Sequence, residues 1–187
     1  QGIETDNIEA TVTDINDIAV VEDDGTVLIP ASPFDLNTKS ILFTPSGTGY
    51  SITTSTGSFD SNLGTKLDLT QSPAVNPKLA TTPGIDPGDD AYISQDLGFN
   101  FSYYGTNFSN IAISSNGFLS FRPAGMDNAT FDPNAVDSGE SIAFLQSALP
   151  RIAAYWHDLD ASSASTQGTT GIYIRKEANR VLVTWNN

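Results

Sequence analysis

Cysteine is absent from the 187 residues. That one absence removes disulfides, thiolate nucleophiles, thiolate zinc sites and covalent haem attachment together, while leaving the cellular compartment open. Basic residues are scarce, 8 against 22 acidic ones, giving a formal charge of −14. Such a field repels phosphate backbones and anionic surfaces, so nucleic acid is not an expected partner, and it attracts cations. No run approaches the roughly 20 apolar residues that a spanning helix needs, so membrane insertion is not expected. No basic, apolar leader opens the sequence at Gln1, so any export signal is expected to have been removed already or never to have existed. Histidine occurs once, at His157.

What is present suits a packed core: 39% hydrophobic residues and 10% aromatic ones, in a length sufficient for one sizeable domain or one domain with a smaller unit. Residues 1–17 are polar and acid-rich and read as an arm. Residues 18–70 read as a small strand-rich unit. Within it, β-branched runs at 18–21 and 26–29 flank Glu-Asp-Asp-Gly, runs at 40–43 and 50–54 flank Pro-Ser-Gly-Thr-Gly, and residues 66–69 form a further strand candidate. Residues 71–90, punctuated by Pro73, Pro77, Pro83 and Pro87, read as an extended connection.

Beyond residue 90 the pattern sharpens. From Leu97 to Tyr103, apolar and small or polar residues alternate strictly, the period of a half-buried strand. Residues 105–107 are expected to turn the chain, and 151–160, 171–176 and 180–186 are strand candidates. The one helix candidate is short, at 141–147. Many short strands with Gly, Pro and Asp between them predict an all-β fold, an antiparallel β-sandwich of short hairpins.

Parity fixes two of those hairpins. If Asn116-Gly117 alone made the turn in IAISSNGFLSF, Ile113 would face Ser120. With Ser115-Asn116-Gly117 as the loop and Gly117 in the left-handed position, Ile113 faces Leu119 and Ile111 faces Phe121. A one-residue slip exchanges the two faces. Each apolar side chain kept inside is worth about 1.5–3 kcal/mol, more than any difference between turn types, so the three-residue loop is expected. In the 171–185 stretch the even loop is favoured instead: a turn at Ala178-Asn179 pairs Ile174 with Val183 and Ile172 with Trp185, and sets Glu177 across from Arg180.

With both hairpins in place, residues 97–187 carry four blocks in order: LGFNFSYYGTNFSNIAISSNGFLSF, PRIAAYWHDLD, GTTGIYIRK and RVLVTWNN. The series resembles the nidogen-like (NIDO) extracellular domain and its relatives in secreted bacterial proteins. The resemblance implies a β-rich module of matrix, adhesion and cell-surface proteins, secreted or displayed, without catalytic activity of its own. Tyr155-Trp156 stands where many relatives have Phe-Trp. The chain stops at Asn187 where relatives continue, so the domain over 91–187 is expected to be incomplete at its C-terminal end, its closing strands lost or supplied by another chain.

The densest chemistry lies in Tyr155-Trp156-His157-Asp158-Leu159-Asp160. On a strand, Asp158 and Asp160 would share a face and could contribute to a calcium site, which takes six to eight oxygen ligands. They do not fit the twelve-residue calcium loop, because Ser163 stands where that loop needs glycine. Asp127, Asp132 and Asp137 lie in a second oxygen-rich loop that could likewise hold calcium or merely cap its own backbone. His157, next in sequence to Asp158, would point to the opposite strand face, so the pair forms no simple dyad, and no Gly-x-Ser-x-Gly elbow is present. Sequons occur at Asn100, Asn107 and Asn128, and Asn100, between Phe99 and Phe101, should face solvent. No catalysis is therefore expected. The leading expectation is an adhesion or surface-interaction module whose partners are extracellular proteins or glycans. The alternatives are a filament or surface-assembly subunit exchanging strands with its own copies, and an accessory domain of a secreted peptidase or glycan hydrolase.

Overall fold

The computed structural model describes residues 20–21, 27–28, 38–71, 73–76, 84, 86–122, 149–155, 157, 159–161 and 169–186. Among these every regular element is a strand, and every pairing is antiparallel. The expected helix at 141–147 lies outside the described residues. The chain divides into two compact units, Gln1–Phe59 and Asp60–Asn187.

The first unit holds two hairpins. β1 (Val20–Val21) pairs with β2 (Val27–Leu28), and β3 (Lys39–Ser46) pairs with β4 (Gly49–Thr56). The second ribbon turns at Gly47-Thr48, with Ser46 opposite Gly49, and is longer at both ends than the apolar runs alone suggested. It leaves large apolar groups in water: Leu42, Phe43 and Ile52 are all more than half exposed.

The second unit is the sandwich. β6 (Tyr92–Tyr103), β7 (Thr106–Ser114), β8 (Phe118–Phe121) and β9 (Arg151–Ala153) form one sheet in that order. The other sheet runs β11 (Val181–Asn186), β10 (Gly171–Lys176), β5 (Thr65–Leu67). β5, counted from sequence with the N-terminal strands, thus pairs with β10 of the second unit, Leu67 opposite Ile172. One buried cluster joins the sheets, with Ile93, Leu97, Ile111, Ile113 and Phe121 on one side meeting Ile172 and Ile174 on the other.

The parity argument fits the observed registers. Ile113 stands opposite Leu119 and Ile111 opposite Phe121, with Gly117 at φ +78°. Ile174 faces Val183 and Ile172 faces Trp185. Asn100 is exposed, as alternation requires. The turn between β6 and β7 differs from expectation. It is Tyr104-Gly105, both left-handed at φ +46° and +78°, while Thr106 and Asn107 already belong to β7. Two left-handed central residues make the mirror-image turn whose twist suits a tight hairpin. The second face of β7–β8 also differs from a half-buried ribbon, because Ala112, Ser114, Phe118 and Ser120 are as buried as the inward set. Leu149 packs on Ala112 and Tyr92, and the Arg151 guanidinium lies 5.6 Å from the centre of the Phe118 ring.

Candidate functional site

Two constructions in the sandwich are the candidates for a functional site. The first is built on the loop Ser115-Asn116-Gly117. Asn116 is buried, yet both ends of its amide are hydrogen-bonded. Nδ2 donates to Asp90 Oδ1 at 3.0 Å, while Oδ1 accepts from the backbone N–H of Leu159 at 3.1 Å and from Ser115 Oγ at 3.1 Å. Its own N–H donates to Ser114 Oγ at 3.1 Å. One side chain therefore ties the β7–β8 loop to two segments, 26 and 43 residues away. Asp90 holds a left-handed backbone, φ +51°, just before β6. Asn116→Ala should cost about 1–3 kcal/mol, because it strands buried donors and acceptors rather than merely deleting a bond. Asn116→Asp should also destabilise, since it sets a carboxylate against Asp90. Urea unfolding of both variants checks this, and wild-type midpoints would refute it.

The Gly117 carbonyl accepts two bonds, from Ala154 N–H at 3.1 Å and Tyr155 N–H at 3.0 Å. This capture ends β9 at Ala153, so the strand does not run on to residue 160 as the sequence suggested. Of the five carboxylates singled out as calcium ligands, Asp160 is described: it is exposed and bridges Asp89 across an isolated antiparallel contact. Asp158, Asp127, Asp132 and Asp137 lie outside the described residues, as does Trp156. Among the described residues no three His, Asp or Glu side chains come together as a metal site would need. His157 is exposed and stacks on Tyr155, ring centres 5.7 Å apart.

The second construction is an apolar cleft of about 320 Å³ between the sheets. Phe99 and Phe101 of β6, Leu119 and Phe121 of β8, Ile152 of β9 and Val183 of β11 are among its walls. Trp185 also lines it, fixed by its indole N–H donating to Ser114 O at 2.9 Å. Apart from Ile152, sequence reasoning placed these residues inside the sandwich, but it gave no sign of an opening there. Arg180, one of the cleft's wall residues, donates to Glu177 through Nε at 2.5 Å, and Arg175, outside the walls, pairs with Asp60 at 2.5 Å. The hydrogen bond from Arg175 holds the Asp60 carboxyl below its usual range, and the hydrogen bond from Arg180 does the same for Glu177. A more polar neighbouring cleft of about 360 Å³ carries Tyr155, Asp160, Ser115 and Asn186, and shares Trp185 with the first.

The sequence profile of a family described as NIDO related matches residues 49–187. No curated protein and no solved structure matches the chain.

Proposed function

The chain belongs to the NIDO-related family, and from that membership we propose that it is an extracellular, non-enzymatic interaction module that works by docking other macromolecules rather than by turning over a substrate. The β-rich architecture that goes with the family is the part already seen in the two-sheet core. Adhesion or matrix and surface attachment is the finer reading, with extracellular proteins or glycans as partners and a secreted or surface-displayed location. The observation that supports it best is the apolar cleft beside β11. A wide greasy trough with a sheet edge at its lip offers area and backbone hydrogen bonds, the two means by which extended segments are held. The acidic surface works with this arrangement, because it discourages non-specific association everywhere except where carboxylates are missing.

Beads coated with the chain should be retained on extracellular-matrix or cell-surface preparations through a high-salt wash, while beads coated with an unrelated acidic protein should not. Equal retention of the two would refute the reading. So would steady turnover of peptide or glycan substrates by the purified chain.

A further inference from the structure

The second unit packs a four-stranded sheet against a three-stranded one, and the apolar cleft reaches β11, the outer strand of the smaller sheet. Backbone phase decides what can lie along that edge. Glu177 N–H donates to Arg180 O at 2.9 Å, which makes those two a hydrogen-bonded pair. In an antiparallel ladder bonded and non-bonded pairs alternate. Leu182, Thr184 and Asn186 therefore turn their backbone groups toward β10, and Val181, Val183 and Trp185 turn theirs toward the open edge. Those same three residues line the cleft with their side chains. A strand added here must follow suit: the residues whose backbone bonds to β11 must also send apolar side chains into the trough.

The β3–β4 hairpin has this phase. Gly57 N–H donates to Thr38 O at 2.6 Å, again a bonded pair, so the alternation leaves the backbone groups of residues 41, 43, 50, 52 and 54 pointing outward from the ribbon. Their side chains share one face, and that face bears Ile41, Phe43, Tyr50 and Ile52. Ile52 is 61% exposed and Phe43 56%. A two-stranded ribbon with such a face is marginal in water by itself. Pro45 has no N–H and blunts the β3 edge, so β4 offers the complete one.

Charge points to a second copy as the occupant. Chains of charge −14 repel each other, but residues 36–59 contain no carboxylate, and neither do the walls of the cleft, whose charged wall residue is Arg180. On one acidic protein these are two surfaces of matching phase, the hairpin free of acid and the cleft bordered by Glu177, whose charge Arg180 and Arg175 offset. We propose that β4 of one copy adds to β11 of another as an antiparallel strand, Ile52 opposite Val183 and Tyr50 opposite Trp185. This rests on the interaction-module reading and names the partner: another copy of this chain. Because hairpin and edge are different surfaces, the contact is head-to-tail and propagates into rings or open chains.

The lack of cysteine makes the test direct. In this register Ser51 falls opposite Thr184 at a non-bonded pair, where Cβ atoms approach closely enough for a disulfide. Full-length Ser51→Cys and Thr184→Cys chains, mixed under mild oxidation, should give mixed dimers well above the yield of either variant alone. The yield should rise with protein concentration and with salt, which screens the mutual repulsion. Adding Ile52→Glu to the first chain should cut the yield about tenfold. Leu42→Glu, on the opposite face of the same hairpin, should leave it unchanged. Mixed dimers no more abundant than in the single-variant controls, or equal losses from both glutamates, would overturn the proposal. So would cross-linking confined to a chain carrying both cysteines and insensitive to concentration. Bead retention that persists without cross-linking would leave the interaction-module reading standing while this one fell.

Discussion

Gly117→Ala is expected to lower the stability of the second unit by roughly 3 kcal/mol, a sum of three modest terms. The first is conformational. Gly117 sits at φ +78°, where an L side chain costs about 1–2 kcal/mol. The second is steric, for a Cβ built there would lie 1.9 Å from the backbone oxygen of Tyr155. Backbone cannot swing aside as a side-chain tip can, so the segment after β9 must move. The third is the weakening of the bonds from Ala154 and Tyr155 to the Gly117 carbonyl, which depend on that close approach. In a unit of this size the sum corresponds to a drop of about 10 °C in melting temperature.

Gly105→Ala supplies the internal control. Gly105 has the same φ, +78°, but a Cβ there meets nothing within 4 Å. Its loss should be close to the conformational term alone, about 1 kcal/mol. The difference between the two variants isolates the steric and hydrogen-bond contributions together. If thermal melts place both alanines at the same midpoint, the close approach of Tyr155 has no energetic consequence, and the account of why β9 ends at Ala153 falls with it.

The legible parts of this fold share one property: they follow from which face of a ribbon must be buried. Ile111, Ile113, Leu119 and Phe121 fix one register, and Ile172, Ile174, Val183 and Trp185 fix the other, because a slip would send every one of them to the wrong side. The β6–β7 turn was misplaced for the opposite reason. Local preference marks Gly105 and Asn107 as turn residues and tyrosine as a poor left-handed one. The pairing of Phe101 with Phe108 nevertheless requires the turn at Tyr104-Gly105. Tyr104 gains an edge-on contact with Tyr103, ring centres 4.8 Å apart, that helps offset its backbone cost. The site was less legible still. The Ser-Asn-Gly loop was visible as a turn, but the work of Asn116 depends on Asp90 and Leu159, distant in sequence and brought together only by the fold. The cleft depends on how one sheet overhangs another, a relation that no single strand's periodicity encodes. Four of the five carboxylates read as calcium ligands lie outside the described residues.

Phe121→Ala should cost about 3–5 kcal/mol, a large share of the total for a domain of ordinary stability. Phe121 is 2% exposed and stands at the centre of an aromatic group. Its ring centre lies 5.5 Å from Phe101, 4.9 Å from Tyr103 and 5.0 Å from Phe108. Truncation removes three ring contacts at once, each worth about 0.5–1.5 kcal/mol beyond simple burial. It also leaves a void that cannot collapse easily, because Phe121 is paired on one strand with Ile111 and its N–H donates to Pro150 O at 2.8 Å. The void would join the existing cleft, whose wall Phe121 already forms, so Trp185 across the trough should report the change as red-shifted emission in the folded state. Phe121→Leu keeps most of the volume and should recover more than half of the loss. Unfolding in urea with unchanged slope would register a lower midpoint for alanine and an intermediate one for leucine. A loss below about 1 kcal/mol for the alanine variant would mean that the two sheets are held together elsewhere, and that the aromatic group merely borders the cleft instead of keeping it open.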